Sequence, residues 1–290
     1  MACPRLCGVD RRVAQGYCGA NALPNIARAA LHSWEEPCIS GTRGSGTVFF
    51  CGCNMRCVFC QNGDINHSLV GDSVDEHGLL AVMRGLQRAG AHNINFVTPT
   101  PHVQLLARTL KQAKREGFSL PIVYNTNGYE RVEMLKTLGG LVDVYLPDIK
   151  YVTREVAARY SDTPEYFDYA QKALLEMHKQ AGPLRLGEDG TAQSGLIVRH
   201  LVLPGAVAET RRVLDFLADT LPPDTHISLM AQYVPAGNPS PPLDRPLKRR
   251  EYERAVEYCV AKGFHNVFVQ ALSSASSAYT PAFDGSVFPG

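Results

Sequence analysis

The chain has 290 residues, 45% of them hydrophobic and 20% charged, with a formal net charge of +1. That composition supports one large buried core and a single catalytic domain of α/β type, and the near-neutral charge argues against a nucleic-acid partner. No apolar stretch approaches the ~18 residues of a membrane span and no signal-peptide core is visible, so the expected compartment is the cytoplasm, where nine cysteines read as reduced thiols and metal ligands.

Residues 1–45 read as a cysteine-containing N-terminal extension, set with Gly and Pro and showing little apolar periodicity. Its thiols Cys3, Cys7, Cys18 and Cys38 could hold a second metal, either zinc or an auxiliary iron–sulfur cluster, with Cys51 a rival fourth ligand; packing as small reduced side chains is the alternative. Arg43-Gly44-Ser45-Gly46 resembles a phosphate loop in composition. It precedes a strand, however, and lacks the helix N-terminus that such a site needs.

Residues 46–290 read as one core domain with a C-terminal tail. Short runs rich in Val, Ile, Tyr and Phe predict strands near 47–51, 94–98, 121–125, 142–146, 196–203, 226–233 and 266–270. Amphipathic stretches predict helices near 75–90, 102–117, 130–138, 164–181, 206–220 and 248–262. Such alternation gives a parallel sheet covered by helices, and right-handed crossovers curl it into a full or partial barrel.

Directly after the first of these strands comes Cys53-Asn54-Met55-Arg56-Cys57-Val58-Phe59-Cys60. A four-iron cubane normally takes four thiolates. Three in one short loop leave one iron open for a non-protein ligand, as a catalytic zinc keeps an open position. A structural zinc knuckle would need a second Cys or His pair further on, and only His67 follows within reach.

In parallel α/β sheets the ligand sits at the carboxyl ends of the strands. The polar residues there are Thr98-Pro99-Thr100, Asn125-Thr126-Asn127-Gly128, Asp148 with Lys150, Arg199-His200 and Gln232-Tyr233. Arg199 has the forked geometry that suits a carboxylate. His200 alternates with it, faces the other side of the strand and reads as structural, as does Cys259 on its helix.

The cysteine triplet, with Phe59 before its last member, resembles the radical S-adenosylmethionine (SAM) superfamily. Cys60-Gln61-Asn62 and Asn125-Thr126-Asn127-Gly128 look most like the pyruvate formate-lyase activating enzyme and its uncharacterised bacterial and archaeal relatives, over roughly residues 46–270. The resemblance implies a partial (β/α)6 barrel with a [4Fe-4S] cluster on Cys53, Cys57 and Cys60. SAM would chelate the open iron through its amino and carboxylate groups, and an electron from a donor such as flavodoxin or ferredoxin would cleave it to a 5′-deoxyadenosyl radical. It also implies cofactor contacts from Asn127, Asp148, Lys150 and Arg199. Two departures stand out: Thr98 and Thr100 replace a Gly-Gly-Glu and lose its acid, and Gln232 stands where the family often has His.

The function implied is that of a radical SAM oxidoreductase abstracting hydrogen from a peptide or protein, resembling a glycyl-radical-enzyme activating enzyme. The alternative is a radical SAM enzyme acting on a small molecule or cofactor precursor, which the Thr98-Pro99-Thr100 departure favours. An iron–sulfur electron carrier is a third reading, against which the polar set at the strand ends argues.

Overall fold

Nine strands and nine helices organise the described residues, 2–235 and 239–287, of the computed structural model. In chain order they are β1 (Ile26–His32), α1 (Pro37–Ser40), β2 (Ser45–Phe50), α2 (Gly63–Asn66), α3 (Glu76–Arg88), β3 (Ile94–Val97), α4 (Val103–Arg115), β4 (Ile122–Thr126), α5 (Val132–Lys136) and β5 (Val144–Pro147). There follow α6 (Arg154–Ser161), α7 (Tyr166–Ala181), β6 (Arg185–Leu186), β7 (Ala192–Leu201), α8 (Val207–Thr220), β8 (His226–Met230), α9 (Arg249–Ala261) and β9 (Val267–Val269).

The sheet runs β1-β2-β3-β4-β5-β7-β8-β9, with β6 attached to β7. From β2 to β9 the neighbours on this path are parallel, while β1 is antiparallel to β2. All seven parallel strands fall on predicted runs. They were readable because both faces are covered: every residue of β2 is buried, so it appears as a near-continuous apolar segment. The six predicted helices are also present, the third only as the five residues of α5. In α4, Val103, Leu106, Leu110 and Ala113 repeat at three- and four-residue spacing and form its buried stripe. The side chain of Asp75 caps α3 by accepting the Gly78 N–H at 2.8 Å. The result is a partial barrel, curved but not closed.

The segment expected to precede the sheet contributes its edge. Strand β1 lies within residues 1–45 and pairs with β2 from Ile26↔Phe50 to His32↔Ser45. Its three alanines carry weak strand preference, so pairing and burial rather than propensity decide its conformation.

The segment after β9 was read only as a tail. It returns to the first strand: Gly285 N–H donates to Ala27 O and Ala29 N–H to Ser286 O, each at 3.0 Å, and Phe283 packs edge-on against Phe49. The sheet's first and last strands are thereby strapped together across the open side. Among the described residues no helix is long and apolar enough to cross a membrane.

Candidate active site

The loop leaving β2 is held from behind by the N-terminal segment. Cys53 N–H donates to Cys18 O at 3.1 Å, and Arg5 Nε donates to Asn54 O at 2.9 Å. Gly52 sits at φ +86° with its α-carbon pressed against Ala20 and the Cys18 carbonyl; a Cβ there would lie 2.8 and 2.9 Å from them, so only glycine fits.

Cys53, Cys57 and Cys60 line one cavity at the carboxyl ends of the parallel strands. Each sulfur accepts a hydrogen bond from a different part of the chain: Asn127 Nδ2 to Cys53 at 3.4 Å, Ser161 Oγ to Cys57 at 3.0 Å, and Asn66 Nδ2 to Cys60 at 2.9 Å. Burial pushes all three thiols up, Cys60 to about 11, and the three donors oppose it by favouring the thiolate. Three soft donors, each already given a partner that prefers the charged form, fit a metal cluster with an open position. Cys51 points away, its sulfur meeting the Val70 backbone. His67 does not line the cavity; its backbone packs on Gly19.

Thr98, Asn127, Asp148, Lys150, Arg199 and Gln232 all line the same cavity. Thr98 does so with a left-handed backbone, φ +59°, which is costly for a β-branched residue and turns the chain sharply at the end of β3. Asn127 braces the loop: its Nδ2 reaches Asn54 Oδ1 at 2.8 Å as well as Cys53, and its Oδ1 accepts Tyr129 N–H at 2.9 Å. Gly128 next to it lets the Asp148 carbonyl occupy space that a Cβ would need. Asp148 and Lys150 form an ion pair at 2.5 Å. Burial works against the Lys150 charge, but Asp148 and Cys57 outweigh it and keep its pKa above the ordinary value. Gln232 joins the strand ends to the cysteine loop, since Gln61 Nε2 donates to its backbone carbonyl at 2.7 Å and Gln270 Nε2 to its side chain at 3.0 Å.

Two expectations fail. Thr100 does not reach the cavity; it is fully buried and donates its hydroxyl to Glu130 Oε1 at 2.6 Å. Cys38 cannot join Cys3, Cys7 and Cys18, because it lies on α1 in an apolar cluster with Val123, Val144 and Leu146. Among the described residues no three His, Cys, Asp or Glu side chains are grouped so as to hold a metal ion, Cys53, Cys57 and Cys60 included. Burial pushes the Cys3 thiol up to about 11. His200 is structural as read, buried between Ile149 O at 2.7 Å and Thr210 Oγ1 at 3.0 Å.

The sequence reading missed Glu35 and Glu36. The connection between β1 and β2 brings both to Arg199, with Glu35 Oε2 3.2 Å from Nη1 and Glu36 Oε1 3.2 Å from Nε; the second contact is an ion pair without hydrogen-bond alignment. Arg199 thus faces two carboxylates of the chain itself while also lining the cavity. Trp34 and Tyr279 were also missed: their rings meet at 4.5 Å and line the cavity's outer wall with Pro281.

Glu130 supports the site from behind. Its Oε1 accepts hydroxyls from Thr100 and Thr126 at 2.6 Å and Tyr124 at 3.0 Å, while Oε2 has no partner. Burial raises its pKa from the ordinary 4.5 to about 7 despite those bonds. The folded protein therefore holds a proton that the unfolded chain releases, giving stability that is full below about 4.5 and lost as pH rises through about 7. Between pH 5 and 8, the melting temperature of Glu130→Gln should rise relative to the parent, by the equivalent of about 3 kcal/mol. Parallel pH profiles of the two proteins would refute the assignment.

A partial parallel α/β barrel with a cysteine triplet after its first parallel strand defines the class of radical SAM proteins. The chain belongs to the radical SAM superfamily, whose family model matches residues 47–217. An uncharacterised protein of Methanocaldococcus jannaschii is 31% identical over 266 residues, covering 88% of this chain and 72% of that protein. Streptococcus suis SuiB bound to its precursor peptide SuiA is similar with a TM-score of 0.51 at 11% identity, covering 76% of this chain and 46% of SuiB. Histidine-tagged anSMEcpe with bound AdoMet (SAM) gives 0.51 at 10%, covering 74% of this chain and 58% of that one. At these identities the likeness is one of fold, and the chain spans about half the length of those two proteins. Membership supports an enzyme of SAM radical chemistry, for which a [4Fe-4S] cluster is expected by family.

Proposed function

We propose that Cys53, Cys57 and Cys60 hold the cluster, that SAM occupies the adjoining cavity, and that the enzyme abstracts a hydrogen atom from a peptide or protein, as glycyl-radical activating enzymes do. The observation carrying this reading is that three thiols, each with its own side-chain donor, face the same cavity as Thr98, Asn127, Asp148 and Lys150. When bound, the cluster and SAM supply the electron and the primary radical. The chain's own residues hold and shield. Asn127, Ser161 and Asn66 orient the sulfurs; Asp148 would offer a carboxylate to the cofactor's hydroxyl groups and Lys150 a cation to its carboxylate. The Gln61–Gln232 contact and Phe59 limit water on one side, and Trp34 and Tyr279 on the other. A cytoplasmic flavodoxin or ferredoxin is the electron donor in this reading.

That SuiB binds a precursor peptide supports a peptide substrate by analogy of fold. The Trp34 and Tyr279 rings that line the cavity leave a second reading, a small molecule or cofactor precursor. Anaerobically reconstituted enzyme with dithionite, SAM and α-deuterated glycine-containing peptides distinguishes the two. Deuterium appearing in 5′-deoxyadenosine supports the peptide reading. Transfer from small precursors and from none of the peptides would overturn it.

A further inference from the structure

A second, smaller cavity adjoins the first along β1. It measures about 130 Å³, close to the space that holds one benzene-sized group. Arg28, Ala30 and His32 alternate along β1, so they share one face of the strand, and all three line this cavity. His32, Trp34, Phe49, Tyr279 and Pro281 line both cavities, so the two meet at these side chains. Strand β1 precedes residue 47, where the match to the superfamily begins, and residues 279–281 follow residue 217, where it ends. The smaller cavity is therefore built largely from this chain's own elaboration of the fold.

Arg28 is the one cation among the lining residues. Burial lowers the pKa of His32 to about 4, with Arg199 and Arg28 adding to the effect, and leaves its ring neutral. The guanidinium of Arg28 is fixed from one side: Nη1 donates to Ala282 O at 3.0 Å and stands 3.5 Å from Asp284 Oδ1. Asp284 is more than half exposed and does not line the cavity. Among the described residues Nε and Nη2 of Arg28 meet no acceptor, and neither ring nitrogen of His32 has a partner, so both side chains keep hydrogen-bonding capacity for a ligand. The remaining walls are flat and apolar. Phe49 meets the His32 ring edge-on at 5.8 Å, and Trp34 meets Tyr279 at 4.5 Å. Trp34 is 56% exposed, so a ring-sized group docking against it would bury apolar surface.

We propose that the smaller cavity is a substrate subsite for a carboxylate carried on a ring-sized apolar group: Arg28 takes the carboxylate, His32 offers a further hydrogen bond, and Trp34 with Tyr279 holds the apolar group. The rest of the substrate then lies toward the cysteine-lined cavity. The proposal rests on the reading that the larger cavity takes SAM, because only then does a ligand bound beside it face the radical. Two sources share this chemistry, the carboxyl-terminal aromatic residue of a peptide and a small aromatic acid.

Trp34 is the only tryptophan in the chain, so the tryptophan emission of reconstituted enzyme reports on this wall. The probes are hydrocinnamate and its neutral analogue hydrocinnamide, and N-acetylglycyl-phenylalanine as the free acid and as the amide. At least one acid should change the emission saturably and bind about 10- to 100-fold more tightly than its amide, the difference made by one charged hydrogen bond. Arg28→Gln should abolish that preference, and Arg28→Lys, which keeps the charge without the fork, should retain part of it. Asp284→Asn removes an exposed partner of Arg28 from outside the cavity and should weaken acid binding less than about threefold. Saturation by the peptide acid alone identifies a peptide source, and saturation by hydrocinnamate identifies a small acid as sufficient; either supports the subsite. No saturable change with either acid would overturn it. So would equal affinity for acid and amide in the parent, a comparison that needs no substituted protein, or a preference that survives Arg28→Gln. SAM binding, followed separately by equilibrium dialysis, divides the two readings: SAM bound with neither acid bound overturns the subsite alone, and an acid bound with no SAM bound overturns the cofactor reading of the larger cavity.

Discussion

Enzyme carrying alanine at Cys53, Cys57 and Cys60 is expected to form no 5′-deoxyadenosine above background when given dithionite and SAM, and to lose its visible iron–sulfur absorption. Cys51, Cys38 and Cys259 cannot take over. Cys51 turns its sulfur to the Val70 backbone, while Cys38 and Cys259 are buried in apolar clusters. The parent should bind about four irons at this site, with one left for an exogenous ligand. Iron and sulfide analysis with product assays checks both halves. A triple variant that still cleaves SAM would remove the basis of the site assignment.

A comparably large effect, on stability, is expected from Arg199→Ala. Arg199 is the counter-charge to both Glu35 and Glu36, and removing one partner of a buried ionic cluster typically costs about 3–5 kcal/mol because the remaining charge stays buried. For a chain of this size that is a fall of roughly 6–20 °C in melting temperature. The triple variant with Glu35→Gln and Glu36→Gln added should recover much of it, since it no longer strands a carboxylate. A single Arg199→Ala variant that melts with the parent would mean that the guanidinium is solvated and available to ligand after all.

Legibility followed the physics of each segment. The parallel strands could be read because burial on both faces forces runs such as Val48-Phe49-Phe50, and the helices because one-sided burial forces a 3.6-residue stripe. The cysteine loop could be read because metal ligation fixes spacing within a few residues. Strand β1 could not, since Ala29 and Ala30 have little strand preference and gain their structure from partners more than ten residues away. Glu35 and Glu36 precede a proline and carry no motif in the sequence. Only the fold brings Asn95, Asn125 and Arg199 around them. Thr100 was misplaced because a residue just past a strand end can turn either to the cavity or to the core. The 3₁₀ turn at Thr100–His102 takes it to the core.

The strap formed by residues 283–287 has a consequence for how the protein is made. Arg28 Nη1 donates to Ala282 O at a separation of 254 residues, so the outer edge of β1 stays uncovered until almost the whole sheet has been synthesised. At about 5–20 residues per second, that leaves an open strand edge exposed on the nascent chain for some tens of seconds. An unpaired edge is a template for association with other chains, and pairing at such long range is slow. The demand for chaperone protection should therefore fall on this edge, and proline substitution at Ala29, whose N–H is the donor to Ser286, should undo the strap and leave the edge open in the finished protein.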